Sequence, residues 1–385
     1  MKIYLDNAAT TPLSRDVFQA MEPYLFESYG NPSSAHYAGR TARSAIENSR
    51  KTIAELLNAD PKSIIFTSGG TEADNTAIIS SIHSNGIRLA ITSHFEHHAV
   101  LNTLKKLQNE GLIKIIYVKH DERGNLSISH LEQLLAANEK AFVSLMHGNN
   151  EIGNLNDIHQ IAELCQSFGA IFHTDTVQSI YQYQYDTKSL SADFLVGSAH
   201  KFHGPKGVGF LYARHPEALL PFINGGSQES GLRGGTENVS GIVGLAKALS
   251  LAYSELNKQQ QHIANIKEKM INNLLSKIPG VSFNGNSASK KTSLATVLNV
   301  ALPDPESGHS VLSFLDQHNI YASGGSACSS KSSSHVLNAL GLASGQTYIR
   351  FSFSRYTTEQ EVTQAVERLS SLYVKAALRE MTAVC

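Results

Sequence analysis

Ser198-Ala199-His200-Lys201-Phe202-His203-Gly204-Pro205-Lys206-Gly207 is the stretch on which the reading of this chain turns. An apolar run over residues 193–196 leads into it and reads as a buried strand, and Gly204-Pro205 closes it as a turn. Lys201 thus stands among small, weakly polar residues at a strand's carboxyl end. Partial desolvation there would lower its pKa and make the neutral amine available for Schiff-base chemistry. The Ser198 hydroxyl and the His200 imidazole flank it and can hold a phosphate. Alone, the pattern fits an ordinary surface lysine in a Gly/Pro loop better; the surrounding chain shifts the balance.

Outward from this stretch, strand-like and helix-like segments alternate. Residues 64–67 lead through Ser68-Gly69-Gly70 into a helix, and residues 89–92 lead through His94 to His98 into a helix over 99–110. Residues 141–146 lead through Gly148-Asn149-Asn150 into a helix beginning near Asp157. Further strands read at 170–175, 194–197 and 209–212. This repetition predicts an α/β fold, a mostly parallel central sheet flanked by helices, with the site at the carboxyl ends of the strands. Toward the N-terminus, a strand over 3–5 and helices over 15–26 and 37–57 are expected. After Gly241 a long helical region runs over 242–275, broken only by the polar stretch Gln259 to Gln261 and ended by Pro279-Gly280. The remainder, with segments at 295–300, 311–318 and 349–354 and a closing helix over 359–378, reads as α+β. The expected division is a large domain over 15–257 and a smaller one from 1–14 with 258–385.

Composition excludes several classes. Lys+Arg 32 against Asp+Glu 33 leaves a net charge of -1, and no basic stretch points to nucleic acid or a membrane surface. The start lacks a signal-peptide core, and no apolar run reaches membrane-spanning length. Cys165, Cys328 and Cys385 lie far apart without a C-x-x-C pair, which argues against a disulfide framework or zinc finger and for a reducing cytoplasm.

The remaining motifs carry chemistry. Ser68-Gly69-Gly70-Thr71-Glu72, between strand and helix, lets backbone N–H groups and a helix N-terminus face an anion. It is neither a Walker A loop nor a dinucleotide fingerprint. His173-Thr174-Asp175-Thr176-Val177-Gln178 ends a strand with an acid that is either a helix cap or the partner of a cofactor's ring nitrogen. A Schiff-base lysine nearby favours the second, because pyridoxal phosphate chemistry needs both. His94-Phe95-Glu96-His97-His98 invites a metal reading, but it lacks the H-E-x-x-H order, and an imidazole that stacks on a flat cofactor fits better. Cys328 sits in a Gly/Ser-rich run, residues 322–334, with few packing residues, where a thiol can act as a travelling nucleophile or be incidental to a linker. Arg350, inside the apolar Ile349-Arg350-Phe351-Ser352, needs an anion, either a substrate carboxylate or an internal Asp or Glu. Cys165, His147 and His173 read as structural.

Together these motifs resemble cysteine desulfurases of the class V aminotransferase group. Tyr4-Leu5-Asp6-Asn7-Ala8-Ala9-Thr10-Thr11-Pro12, Gly30-Asn31-Pro32-Ser33-Ser34, Asn149-Asn150-Glu151-Ile152-Gly153, Arg233-x-Gly235-Thr236-Glu237-Asn238 and Gly325-Ser326-Ala327-Cys328 extend the match, in order, over nearly the whole chain. The resemblance implies a fold type I transferase, a homodimer, and pyridoxal 5'-phosphate near the subunit interface. It makes Lys201 the Schiff-base lysine and assigns the cofactor phosphate to Gly70, Thr71, Ser198 and His200, joined by Thr236 of the other subunit. Asp175 would pair with the ring nitrogen, Gln178 with the ring hydroxyl oxygen, and His97 would stack on the ring. Asn150, also beside the cofactor, and Arg350 would grip the carboxylate of L-cysteine. Cys328 would carry sulfur as a persulfide to an acceptor protein, an iron–sulfur scaffold or another sulfurtransferase, and could ligate an iron–sulfur cluster; no resident metal is expected.

Four departures accompany the resemblance. Ser230 stands where the family usually has Arg, Ser354 where it has Gly, and the run from Cys328 to His335 is about two residues shorter than in long-loop members. The sequence also ends at Cys385 without the extended tail of housekeeping members. A selenocysteine lyase, a class V aminotransferase, or a non-catalytic sulfur or metal carrier are the competing readings.

Overall fold

A computed structural model describes residues 2–305, 310–324, 334–342 and 346–383. The chain opens with β1 (Ile3–Tyr4), α1 (Arg15–Phe26) and α2 (Tyr37–Leu56). An alternating run follows: β2 (Ile64–Thr67), α3 (Gly70–Asn85), β3 (Leu89–Thr92), α4 (His98–Asn109), β4 (Lys114–Tyr117), α5 (Ile128–Ala136), β5 (Ala141–Ser144), α6 (Ile158–Ser167), β6 (Ile171–Asp175), β7 (Phe194–Ser198) and β8 (Gly209–Ala213). Then come α7 (Val239–Ser254), α8 (Leu256–Lys277), β9 (Ser282–Phe283), β10 (Val297–Leu302), α9 (Val311–Gln317), β11 (Ile320–Tyr321), α10 (His335–Ala339), β12 (Thr347–Ser352) and α11 (Glu359–Ala383).

β2 to β8 form one seven-stranded sheet in the order β2-β8-β7-β6-β5-β3-β4. β8 is antiparallel to both neighbours and the other pairings are parallel, so every strand but β8 runs the same way. β2, β3, β5, β7 and β8 are buried along their whole length, which is why they read as unbroken apolar runs. Alternate residues still face opposite layers. Phe66, Ile91, Val143, Leu195 and Phe210 pack with α1, α2, α5, α6 and α7, whereas Ala90 and Phe142 meet α3 and α4. Ile65, Val196 and Leu211 form a further cluster with Ala73 and Ala77 of α3. The loops that leave β2, β3, β5, β6 and β7 therefore open on one edge, with Thr92, Ser144 and His173 in register across it.

A second core gathers Ile3 and Leu5 with residues from α8, β10, α9, β11, β12 and α11. β1 pairs in parallel with β11, and β12-β10-β9 form an antiparallel sheet. Asp6 continues β1 by a parallel bridge to Ser352, so the chain's start is stitched to the strand that carries Arg350.

Three expectations are corrected. The sequence reading has no element between residues 110 and 141, where β4 and α5 lie. β5 stops at Ser144 rather than Met146, because Met146 N already donates to the Glu96 side chain. The helical region breaks at Glu255, where α7 and α8 meet at 77°, and Gln259 to Gln261 lie within α8. No single helix among the described residues is long and apolar enough to cross a membrane.

Candidate active site

The glycine loop after β2 is forced by proximity. Gly69 has φ 155°, a conformation L side chains rarely adopt, and a Cβ on Gly70 would come within 2.7 Å of Val177 Cγ2. Gly70 is the first residue of α3, so its N-terminal N–H groups face a cavity of about 410 Å³. Ser68, Gly69, Gly70, Thr71, Ser198, His200 and Lys206 line it, which brings both sequence-predicted phosphate motifs to one place. His200 Nδ1 lies 3.1 Å from Thr10 Oγ1, while burial and the charges of Lys201 and Lys206 pull the imidazole down to about 4. Thr236 lines a neighbouring cavity of about 190 Å³, together with Glu229 and Arg233. Arg233 Nε is 2.9 Å from Glu72 Oε1, which fixes that wall to the first turn of α3.

Lys201 lies at the end of the short turn after β7. Its Nζ donates to the carbonyls of Ala8 at 2.6 Å and Ala9 at 3.0 Å. Gln178 Nε2 donates to the same Ala8 oxygen at 2.9 Å, while the Gln178 Oε1 is buried with no partner. Asp175 closes β6, is buried, and accepts from Val177 N at 2.9 Å. Burial raises its pKa, which the Val177 hydrogen bond and the Lys201 charge oppose. His97 caps α4, its Nδ1 accepting from Ala99 N at 3.1 Å, and burial with the Lys201 charge lowers its pKa to about 4. The ring is therefore neutral at physiological pH, and with Nδ1 accepting from Ala99 N its proton sits on Nε2.

Behind these groups lie buried acids that the sequence reading leaves without a role. Glu96 is fully buried, with Ser93 Oγ 2.6 Å from one oxygen and Met146 N donating to the other at 2.9 Å; burial pushes it to about 8. Asp74 is raised by burial and by Asp175, and its Oδ1 faces His173 Nε2 at 3.2 Å. The other His173 nitrogen is 2.9 Å from Ser144 Oγ, and His147 bonds Tyr185. Asp74 has no sequence signal, lying inside α3, and Glu96 has only its place in His94-Phe95-Glu96-His97-His98.

Arg350, on β12, is 1% exposed and forms the internal ion pair, Nη2 to Asp6 Oδ1 at 2.8 Å. Its Nη1 donates to the Asn150 carbonyl at 2.9 Å, which brings those two sequence-predicted residues together. His94 turns away and stacks on Tyr117 at 3.9 Å. Among the described residues no three His, Cys, Asp or Glu side chains gather as a metal site. Cys165 is buried and free, its thiol pushed up to about 12 by burial. Cys328, Ser330 and Cys385 lie outside the described residues. Ser230 has φ 58° beside Glu229, whose carboxylate is held by Arg50 instead.

The chain belongs to the class-V aminotransferase family, which matches residues 3–365. Within it, the chain is 40% identical over 382 residues to the cysteine desulfurase IscS of Dictyoglomus turgidum, covering 97% of this chain and 95% of that one. A solved NifS-like protein superposes with a TM-score of 0.89 at 34% identity, covering 97% of this chain and 100% of the other. The protein SspA, solved in complex with cysteine, gives a TM-score of 0.80 at 33% identity, covering 92% of this chain and 100% of its own.

Proposed function

We propose that this chain is a pyridoxal-phosphate-dependent cysteine desulfurase that converts L-cysteine to L-alanine and takes the sulfur onto Cys328. The observation that carries this reading is the meeting of Lys201 and Gln178 on one carbonyl, with the Lys201 charge acting on buried Asp175, next to the glycine-lined start of α3. These residues fit the cofactor. The cavity with Gly70, Thr71, Ser198 and His200 suits a phosphate, the unpartnered Gln178 Oε1 suits a ring hydroxyl, and the buried Asp175 suits a ring nitrogen. Bound there, pyridoxal phosphate supplies an electron-withdrawing ring that acidifies the substrate Cα.

The chain's own residues supply the rest. Arg350 and Asn150 hold the substrate carboxylate, Lys201 Nζ removes the Cα proton, and neutral His97 passes protons beside it. The Cys328 thiolate bonds to the substrate sulfur as the Cβ–S bond breaks, with that bond's electron pair left on carbon. Protonation of that carbon, with return of the proton from Lys201 Nζ to Cα, gives alanine, and Cys328 holds a persulfide for an acceptor protein in iron–sulfur cluster assembly or other sulfur trafficking. We assign the working form as a cytoplasmic homodimer in which Thr236 reaches the other subunit's phosphate site. Residues 15–257 form its large domain and 1–14 with 258–385 its small one; two separate apolar cores, residues 17–249 and 3–372 by way of 263, support that division.

The test is product analysis with L-cysteine and a reductant. Alanine and sulfide should appear in equal amounts, Lys201→Ala should abolish both, and Cys328→Ser should abolish sulfide release. Desulfuration at full rate by the Cys328→Ser protein would contradict the sulfur step.

A further inference from the structure

A guanidinium as buried as that of Arg350 is costly without an anion and without acceptors for its donors. Asp6 Oδ1 takes Nη2 at 2.8 Å and the Asn150 carbonyl takes Nη1 at 2.9 Å, whereas Nε is buried and has no partner. Asp6 is itself fixed from two sides. Its backbone bridges Ser352 two residues along β12 from Arg350, Ser352 N donates to Leu5 O at 2.7 Å, and Ser323 Oγ donates to the same Asp6 oxygen at 2.8 Å. Guanidinium is planar, and each of its amino groups carries two hydrogens. One acceptor on each amino group sets the orientation of that plane and leaves Nε–H, buried, as the donor without an acceptor, which a carboxylate oxygen can take.

We propose that Asp6 is a positioning residue for substrate capture, holding the Arg350 guanidinium so that its unpartnered Nε–H is kept for the α-carboxylate of the amino-acid substrate. The inference rests on the reading that Arg350 binds that carboxylate. Asp6 keeps its place when substrate arrives and balances the arginine's charge after the product leaves.

The experiment compares Asp6→Ala, Asp6→Asn and Arg350→Gln in the holoenzyme, with two inhibitors competing against L-cysteine. Mercaptopropionate has the thiol and carboxylate without the amine, and cysteamine has the thiol and amine without the carboxylate. For Asp6→Ala the KM for L-cysteine and the inhibition constant of mercaptopropionate should each rise roughly tenfold to hundredfold, the range of a hydrogen bond to a charged group, with kcat within about threefold. Cysteamine inhibition should not move. Asp6→Asn keeps an oxygen acceptor for Nη2 and should recover part of the loss; if Asp6→Ala does not fold, the Asn variant carries the test through its smaller rise. The proposal is overturned if both inhibitors weaken together, or if mercaptopropionate is unaffected by the Asp6 variants while Arg350→Gln weakens it. Unchanged mercaptopropionate binding by Arg350→Gln would instead overturn the arginine assignment, and the proposal with it.

Discussion

Glu96 holds its proton more tightly in the folded protein than in the unfolded chain, about 8 against 4.5, because burial penalises the carboxylate. Between those values the folded state binds more protons, so this group's stabilisation is present below about 4.5 and is lost as pH rises toward about 8. Glu96→Gln keeps the shape and removes the titration. Urea midpoints measured across that window should fall less steeply with pH for the variant than for the parent, and parallel slopes would contradict the assignment. At this scale the residues with a chemical signature were legible in the sequence: Lys201, Asp175, His97 and the Gly69-Gly70 pair. The roles that come from burial were not: Glu96 and Asp6 stand in recognisable motifs and Asp74 in none, but what each acid faces is set only when strands and helices pack. For Arg350, of the two readings open in the sequence, the structure shows the internal acid, Asp6, and leaves Nε without a partner.

β7 positions Ser198 and leads into Lys201, and it needs a glycine to do so. A Cβ on Gly197 would overlap the Phe210 ring on the neighbouring β8. Gly197→Ala should therefore cost about 1–3 kcal/mol, the usual range for overpacking, read as a lower denaturation midpoint. A midpoint equal to the parent's would show that Phe210 moves aside freely. The amphipathic α1, the more polar α2 and most strands of the sheet, with their apolar runs, were legible. β4, an edge strand part exposed along its length, was missed although its apolar run Ile115-Ile116-Tyr117-Val118 carries a strand signal. α5 carries an ordinary helix signal, a Ser127 cap on His130 N with Leu131 and Leu135 buried four residues apart. The bend at Glu255 has neither Gly nor Pro to mark it, while the polar Gln259 to Gln261 suit a helix face, Gln260 reaching the Gln182 carbonyl.

Across the molecule, one buried ion pair ties separate parts together. Arg50 of α2 meets Glu229 through two hydrogen bonds of 2.7 Å, and Glu229 also accepts from Phe66 N of β2 at 2.9 Å. Arg50→Leu leaves that carboxylate buried without its cation and should cost about 3–5 kcal/mol in denaturant unfolding; a loss under about 1 kcal/mol would mean that Glu229 finds another partner or a proton. The architecture was legible because parallel strands collect their loops at one edge, so polar motifs scattered over more than a hundred residues had only one place to meet. The central claim is that Lys201 is the residue that binds the cofactor aldehyde. The direct measurement is borohydride reduction of the protein loaded with pyridoxal phosphate, followed by peptide mass mapping. The account predicts a pyridoxyl adduct on Lys201; an adduct confined to another lysine, such as Lys206 or Lys267, or none at all, would contradict it.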